Sequence, residues 1–281
     1  MWQKEYLSDW AEFTKRFGAM FSVSPETSYL FRGQANDKWQ LIPTIARAFP
    51  KAVAESLVDT AQEALVRRLE ERGRDEFRSQ AHRFLKELPT QTFGALDWWV
   101  SMQHYRAPTR LLDWTASPAV ALYFAVAEEW ESDGGILYFN QTKLHRGRTE
   151  TPRWEGELGG GHDVAWTQAV VEKPTIMAFS PKYKTDRMAA QQAWFTVSNL
   201  ALVNHGAIIE ETLTHDQSDY GQIIVPADAK PRIMAELKRA NVGAETLFPG
   251  IDGLGLSISE AMRLSYQHFH DLELKFRQDN A

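Results

Sequence analysis

The chain has no cysteine among its 281 residues. It can therefore form no disulfide, and it offers neither a thiolate ligand for a metal ion nor a thiol nucleophile. An excess of positive charge is also missing, because 37 acidic residues outnumber 31 lysines and arginines and give a formal net charge of −6. This balance argues against a basic face for non-specific binding of nucleic acid. It does not exclude a local basic pocket for a small anion.

Long apolar runs are absent as well. No segment approaches the roughly 20 apolar residues that a membrane-spanning helix requires. The first residues, MWQKEYLSDWAEF, lack the apolar stretch of a signal peptide. We therefore expect a cytoplasmic protein that makes no contact with a membrane.

Familiar catalytic and metal-binding patterns are not found either. The sequence contains no P-loop, no GxGxxG and no GxSxG motif. The histidines are scattered along the chain, and His268 and His270 are two residues apart on a predicted helix and so face different directions. We therefore expect no metal site.

What is present is a composition that can bury a large core. Hydrophobic residues make up 43% of the chain and aromatic residues 12%. Apolar periodicity places most helices early and most strands late, which predicts an α+β fold in a single domain, residues 1–281. The predicted helices cover 9–21, 52–72, 75–88, 92–104, 228–240 and 257–277. The predicted strands cover 28–33, 136–139, 169–171, 176–179, 195–197, 208–209 and 222–225.

Several local signals add detail to this outline. Gly73 interrupts the apolar pattern between the helices 52–72 and 75–88. Ser257 and Glu260 have the spacing of a capping box at the start of the last helix. The interleaved charges of 52–88 predict a solvated helix face with intrahelical ion pairs. Residues 144–162 are rich in glycine and charge and predict a mobile loop.

The stretch Gln103–Ala127 carries many polar side chains and then becomes apolar. Ser117 followed by proline predicts the start of a helix, and the apolar residues after it predict that this helix is buried. The N-terminus of such a helix is a natural place for an anionic group. The alternative is structural, with Arg110 and Asp113 as a buried ion pair and with Thr115 and Ser117 as simple caps.

Two other segments carry polar residues beside predicted strands. Arg32 ends a strand and is followed by Gly33, a pairing that lets a ligand approach the backbone while the guanidinium binds a phosphate. The alternative is an ordinary surface salt bridge. Gln191 and Gln192 precede a later strand, where one amide could face a pocket. The alternative for them is a polar surface turn.

These three segments together resemble the FRG-domain family, which is named for the phenylalanine-arginine-glycine motif found here at 31–33. The resemblance covers about residues 25 to 270, and its most specific part is the run TRLLDWT at 109–115 with the later Gln-Gln. Arg106 and Ala193 stand where the family often has glycine, which could narrow or stiffen the loops beside a site. The matching positions further along the chain are Trp39, Leu41, Pro43, Arg47, His104, Tyr105, Ser117, Ala121, Phe124, Arg187, Phe195 and residues 246–249.

The order of these segments also resembles the arginine–serine–glutamate type of ADP-ribosyltransferase. The resemblance implies a split pair of small mixed or antiparallel sheets, with the N-terminal helices and a C-terminal helix packed around it. It implies that NAD is the substrate and lies in a cleft between the sheets. The residues implied to bind NAD are Arg32, Gly33, Gln34, Tyr105, Arg110, Thr115 and Ser117.

The resemblance implies catalytic roles for His104, Asp113, Gln191 and Gln192. The ADP-ribosyltransferases have a catalytic glutamate near the position of the two glutamines, whereas a glutamine supplies no negative charge. A carboxylate from elsewhere would have to replace it. Asp113 is the nearest candidate, and Glu210 and Glu211 are more distant ones.

The function implied by the resemblance is mono-ADP-ribosyl transfer to a protein or nucleic-acid acceptor, or NAD hydrolysis, in a bacterial toxin or phage-defence effector. Neither the acceptor nor the oligomeric state follows from the sequence. An alternative from another class is a non-catalytic module that binds a nucleotide or a protein. A third alternative is a nucleic-acid hydrolase.

Overall fold

The computed structural model describes residues 2–22, 28–49, 60–85, 89–146, 174–213 and 219–279. The predicted strand 169–171, the first residues of the predicted helix 52–72 and the predicted loop from residue 147 onward lie outside these ranges.

Strands and helices are mixed along the described ranges, with three successive α-helices before the third strand and three at the C-terminal end. The strands are β1 (Lys4–Tyr6), β2 (Tyr29–Gln34), β3 (Leu111–Thr115), β4 (Gly134–Asn140), β5 (Ile176–Phe179), β6 (Ala193–Ser198) and β7 (Tyr220–Val225). The α-helices are α1 (Trp10–Ser22), α2 (Thr44–Arg47), α3 (Thr60–Ala81), α4 (Ala95–His104), α5 (Pro118–Val126), α6 (Gln141–Arg146), α7 (Asp186–Ala190), α8 (His205–Thr212), α9 (Lys230–Arg239), α10 (Ala244–Leu247) and α11 (Ile251–Asp279). The α+β class is therefore confirmed.

The described strands form one seven-stranded sheet in the order β1-β7-β4-β2-β3-β6-β5. All neighbours are antiparallel except β1 and β7, which are parallel. The predicted arrangement, a pair of separate small sheets, is thus not what is found. The reason is that β2 and β3 still share a bridge and so join the two halves into one sheet.

The junction between β2 and β3 is nevertheless narrow. The two strands pair only at Phe31 and Thr115, whereas β2 pairs with β4 along its whole length. Beyond Phe31 the two strands separate, so the backbone of Arg32 and Gly33 has no ladder partner on the β3 side. An opening in the sheet results at this point.

The two faces of the sheet are covered by different apolar clusters. Cross-strand partners point to the same face, so Phe31 and Thr115 share a face with Leu111 and Asp113. On that face Phe31 packs with α1, α5, α9 and α10, while Leu111 packs with α4. The opposite face packs Leu30, Leu112 and Trp114 against α8. Asp113 therefore lies between two clusters on one face.

Helix α5 lies directly on the sheet because two strands present glycine to it. A β-carbon on Gly33 would lie 1.8 Å from the carbonyl oxygen of Ala121, and one on Gly134 would lie 2.2 Å from that of Ala125. Neither position can hold a side chain without displacing the helix. Gly33 of the FRG motif thus leaves space for the backbone of α5, whereas the sequence suggested that it leaves space for a ligand.

Several predicted elements are confirmed, and three details are wrong. The strand 176–179 and the helix that follows Ser117 are found as predicted. Residues 208–209 are helical and not a strand, because they lie in α8, which Asn204 caps by accepting a hydrogen bond from the backbone N–H of Gly206. The prediction rested on two buried isoleucines, which alone do not distinguish a strand from a buried helix. Helix α3 continues through Gly73. Helix α11 begins at Ile251, so Ser257 does not cap it.

The predicted solvated face with intrahelical ion pairs is found on α3, but not all of the charged residues of this helix belong to it. The predicted intrahelical pair between Arg67 and Glu63 exists, with 3.0 Å between Nε and Oε1. However, Glu63 is buried and accepts hydrogen bonds from the backbone N–H groups of Ala201 and Leu202. Glu70 is buried as well. Two acidic residues of this charged helix therefore belong to the interior.

None of the helices in the described ranges combines the length and apolar character needed to cross a membrane. Across the same ranges, no group of three or more histidine, aspartate or glutamate side chains is arranged to hold a metal ion.

Candidate functional site

A cavity of about 290 Å³ opens where β2 and β3 separate. It is lined by the predicted site residues Arg32, Gly33, His104, Asp113, Thr115 and Gln191, together with Phe31, Gln103, Arg106, Trp114, Val120, Phe124, Arg187, Met188, Ala193 and Phe195. Three arginines and one aspartate thus stand among aromatic and aliphatic walls. Such a lining suits a ligand that carries both negative charge and flat rings.

Arg32 crosses the opening in the sheet. Its Nη1 donates a hydrogen bond of 2.7 Å to the main-chain oxygen of Asp113 and lies 3.9 Å from the carboxylate oxygen Oδ2. Burial lowers the pKa of Arg32 to about 10, and the nearby Asp113 opposes this effect, so the guanidinium stays charged at neutral pH. Its buried Nε has no hydrogen-bond partner in the described structure.

Asp113 supplies the one carboxylate among the residues that line this cavity. Its side chain is 56% exposed, and Oδ2 accepts a hydrogen bond of 2.9 Å from Nε2 of Gln103. The carboxylate is therefore open to a ligand and at the same time fixed on one side.

His104 ends α4 and faces the same cavity. Burial lowers its pKa, the positive charge of Arg187 lowers it further, and Asp113 acts in the opposite sense. The imidazole is thus neutral at pH 7 and able to accept a proton.

One wall of this cavity is formed by Arg187, Met188 and Gln191, which lie in α7 and directly after it. The guanidinium of Arg187 lies 4.6 Å from the ring centre of Phe248, a cation–π distance, and burial lowers the pKa of Arg187. Nε2 of Gln191 donates a hydrogen bond of 3.0 Å to the main-chain oxygen of Leu247. Gln191 therefore lines the cavity, but its amide already serves to hold α10 against α7.

Thr115 and Ser117 have structural hydroxyl bonds. Thr115 Oγ1 donates to the main-chain oxygen of Gln191 at 2.7 Å and accepts from the backbone N–H of Ser117. Ser117 Oγ accepts from the backbone N–H of Val120 and so caps α5. Of the two, only Thr115 lines the cavity.

Arg110 lies away from the cavity, in the interior. Its side chain is 1% exposed, and Nε donates a hydrogen bond of 2.7 Å to Oε2 of Glu70, to which Nη2 also donates. The guanidinium further contacts the indole ring of Trp99 at 4.8 Å. Arg110 thus forms an ion pair in the interior and lines neither this cavity nor the larger one that adjoins it. The suggested ion pair between Arg110 and Asp113 is also wrong, because the partner of Arg110 is on α3.

Other predicted residues lie outside this cavity. Tyr105 is half exposed and contacts the His104 ring edge to face. Gln192 is exposed, with a φ of 46°, and neither it nor Glu210 and Glu211 on α8 lines a described cavity. The carboxylate nearest the site is therefore that of Asp113.

A second cavity, of about 590 Å³, adjoins the first and shares Arg32, Gly33 and Phe124 with it. Gln34, which is 3% exposed, lines it. Further residues of its wall are Lys38, Trp39, Arg47, Phe248 and Arg263. Arg32 thus lines both adjacent cavities, and the larger one combines cations and aromatic rings with two acidic residues, Glu128 and Glu260.

Sequence reasoning missed Gln103 and gave Arg106 and Arg187 no role in the site. Arg106 has a φ of 66°, a conformation that glycine adopts without strain, which accounts for glycine at this position in the family that the chain resembles. Gln103 and Arg187 gave no distinct signal beyond their place beside other singled-out residues.

Residues 27–134 match the family model of the FRG domain. No curated protein and no solved structure matches the chain. The matched segment includes Arg32, Gly33, Asp113 and Thr115, whereas the residues around Gln191 and Phe248 lie beyond it. The match thus shows a similarity to the FRG domain over this segment of the chain.

Proposed function

We propose that the two adjoining cavities bind NAD and that the protein transfers ADP-ribose from NAD to an acceptor or hydrolyses NAD. The observation that carries this proposal is the position of Arg32, which lines both cavities and lies beside the Asp113 carboxylate. A dinucleotide has two nucleoside halves joined by a diphosphate. Arg32 would bind the diphosphate, and the unpartnered Nε adds a donor that a phosphate oxygen could satisfy.

Each half of the dinucleotide has a cavity with suitable chemistry. The smaller cavity, with Asp113, His104 and aromatic walls, would take the nicotinamide ribose. The larger cavity would take the adenosine, with Trp39 as a stacking surface and Gln34 as an amide beside the base. Because the two cavities have different charged residues and aromatic rings, substitutions in each can test its part in NAD binding separately.

The reaction requires stabilisation of positive charge. When the bond between C1′ of the ribose and the nicotinamide nitrogen breaks, the electron pair leaves with nicotinamide and the ribose becomes an oxocarbenium-like cation. The negative Asp113 would stabilise this cation. A nucleophile then bonds to C1′ and loses its proton, which the neutral His104 could accept.

Asp113 would thus take the place of the glutamate expected by resemblance to the ADP-ribosyltransferases. Neither glutamine takes this catalytic position, because the Gln191 amide donates a hydrogen bond to the Leu247 oxygen and Gln192 lies on the surface. The narrow junction between β2 and β3 supports the same proposal, since it leaves a cleft between two half-sheets. A toxin or phage-defence role would follow from such an activity and is proposed with it.

Labelled NAD provides the direct test. The purified chain is incubated with NAD labelled in the nicotinamide ring or in the adenine ring, and nicotinamide release and label transfer to protein or nucleic acid are measured. We expect release of nicotinamide with retention of the adenine label on ADP-ribose or on an acceptor. Absence of NAD binding by calorimetry, together with absence of release, would refute the proposal.

A second candidate, a non-catalytic binding module, draws on the structural bonds of Arg32 and Gln191. It predicts NAD binding without nicotinamide release. It also predicts that Arg32→Ala unfolds the protein, since Arg32 then acts chiefly as a link between the half-sheets. A folded Arg32→Ala variant that has lost both NAD binding and the nicotinamide release of the unaltered chain favours the first candidate.

A further inference from the structure

The side-chain amide of Gln103 connects the buried start of β3 to the cavity. Gln103 lies in the last turn of α4, and its Nε2 donates a hydrogen bond of 2.9 Å to Oδ2 of Asp113. Its Oε1 accepts a hydrogen bond of 2.6 Å from the hydroxyl of Thr109, which is fully buried. The hydroxyl of Thr44 lies 3.3 Å from the same oxygen.

The two threonines define which end of the amide faces Asp113. Thr109 Oγ1 accepts from the backbone N–H of Leu111, and Thr44 Oγ1 accepts from the backbone N–H of Thr109. The Thr109 hydroxyl donates its proton to Oε1 of Gln103, whereas the Thr44 hydroxyl has two acceptors within reach, this Oε1 at 3.3 Å and the main-chain oxygen of Thr109 at 3.2 Å. The carboxylate of Asp113 can only accept, so it requires the NH₂ end. Both sides of the amide thus demand the same orientation.

We propose that Gln103 is a positioning residue that holds the Asp113 carboxylate in the cavity, and that Thr109 and Thr44 fix its amide for this task. The held oxygen is Oδ2, which is also the oxygen nearest Arg32. The other oxygen, Oδ1, makes no hydrogen bond within the described ranges and is left for a ligand.

The kinetic consequence rests on the proposed function. A carboxylate that rotates freely is displaced from the developing charge, and displacements of about 1 Å cost on the order of 100-fold in rate. We expect Gln103→Leu to lower kcat for nicotinamide release by roughly 10- to 100-fold with little change in KM. Gln80→Leu is the matched control, because Gln80 also donates to a carboxylate, that of Glu76, on an exposed helix face.

Gln103→Glu gives a readout that a merely structural role would not produce. At neutral pH the introduced carboxylate repels Asp113, and activity falls. At lower pH the two carboxyl groups share one proton, and the protonated one can again donate a hydrogen bond. The activity of Gln103→Glu relative to the unaltered chain therefore rises as pH falls, whereas that of Gln103→Leu does not.

Two substitutions of Thr109, to valine and to serine, test whether its hydroxyl fixes the amide of Gln103. Thr109→Val keeps the shape and removes the proton donated to Oε1, so the amide is held from the Asp113 side with less support behind it and kcat falls. Thr109→Ser keeps the hydroxyl and restores kcat to within about 3-fold of the unaltered chain, as expected for a retained hydrogen bond. Equal kcat for the two variants overturns the role of Thr109.

A measurement without NAD separates this inference from the proposed function. In ¹⁵N-labelled protein, the side-chain NH₂ signals of Gln103 are assigned from the Gln103→Leu spectrum and followed on Asp113→Asn and Thr109→Val. Shifts of these signals with both variants support the network even if NAD is not a substrate. No shift with Asp113→Asn overturns the inference, whatever the activity. Shifts together with an unchanged kcat in Gln103→Leu overturn the positioning role.

Discussion

The backbone oxygen of Ala121 occupies the space that a β-carbon on Gly33 would need, at a separation of only 1.8 Å. The third residue of the FRG motif is thus the contact surface for helix α5, whose N-terminal end borders the cavity through Val120. The motif therefore combines a cation, Arg32, with the residue that brings a helix close to it.

We expect Gly33→Ala to destabilise the fold by about 3 kcal/mol or more, because neither the strand nor the helix backbone can move aside cheaply. Urea unfolding measures this change. Gly255→Ala is the control, since a β-carbon there meets nothing within 4 Å and the residue lies within α11. That variant should gain about 0.5–1 kcal/mol. A similar stability for both variants would contradict the close approach of α5.

Asp113→Asn should lower nicotinamide release by about 100-fold or more, because it removes the negative charge from the cavity without changing its shape. The free energy of unfolding should change by less than about 0.5 kcal/mol, since the side chain is 56% exposed. Asp228→Asn, on an exposed short 3-10 helix, is the matched control and should leave both quantities unchanged. Retention of half of the activity in Asp113→Asn would count against a role of this carboxylate.

Glu70→Gln should destabilise the protein by about 3–5 kcal/mol, because it leaves the buried charge of Arg110 without its carboxylate partner. The control is Glu273→Gln, which removes one side of an exposed pair with Arg277 and should cost less than about 0.5 kcal/mol. Thermal and urea unfolding provide the comparison. If Glu70→Gln is as stable as the control, Arg110 is free to serve a ligand and its structural assignment fails.

Stability should fall in mild acid because of His205. Burial lowers the pKa of His205 to about 3, and the charges of Arg32 and Arg110 act in the same direction. The unfolded chain binds a proton near pH 6.5 that the folded chain refuses, so each pH unit between about 6.5 and 3 costs about 1.4 kcal/mol. Between pH 7 and pH 5 we expect a loss of about 2 kcal/mol from this group alone.

His205→Asn tests this origin, because the new amide can still reach the Thr196 hydroxyl that lies 2.8 Å from Nδ1 of His205, yet it takes up no proton. The variant should lose less stability than the unaltered chain on going from pH 7 to pH 5. His82→Asn is the control, since His82 is exposed. An unchanged acid loss in His205→Asn would assign the effect to other groups.

Local patterns in the sequence determined much of the framework. The capped start of α5 follows from Ser117 and Pro118, because a hydroxyl acceptor and a residue without N–H satisfy the first turn whatever surrounds it. Strand β5 and the FRG strand follow from apolar runs bounded by turn residues. Two predictions that relied on one or two residues were wrong, because Gly73 does not end a helix and Ile208 with Ile209 is not a strand.

The residues that line the smaller cavity were only partly predictable from the sequence. Arg32, His104, Asp113, Thr115 and Gln191 were singled out from the sequence and do line one cavity. Arg110 was singled out on the same grounds, but it lies just before β3 and pairs in the interior with Glu70 of α3. This partner is 40 positions away in the sequence, and no local pattern indicates it.

The sequence by itself thus determined the α+β class, the capped helix and the set of polar residues from which a site could be built. Only the tertiary structure decided that the two half-sheets join at Phe31 and Thr115, that Glu70 neutralises Arg110, and that Gln103 reaches Asp113. The residues in these pairs lie 10 to 84 positions apart in the sequence. Local propensity acts over a few residues, whereas such contacts exist only once packing has fixed the chain, and so no pattern in the sequence encodes them on its own.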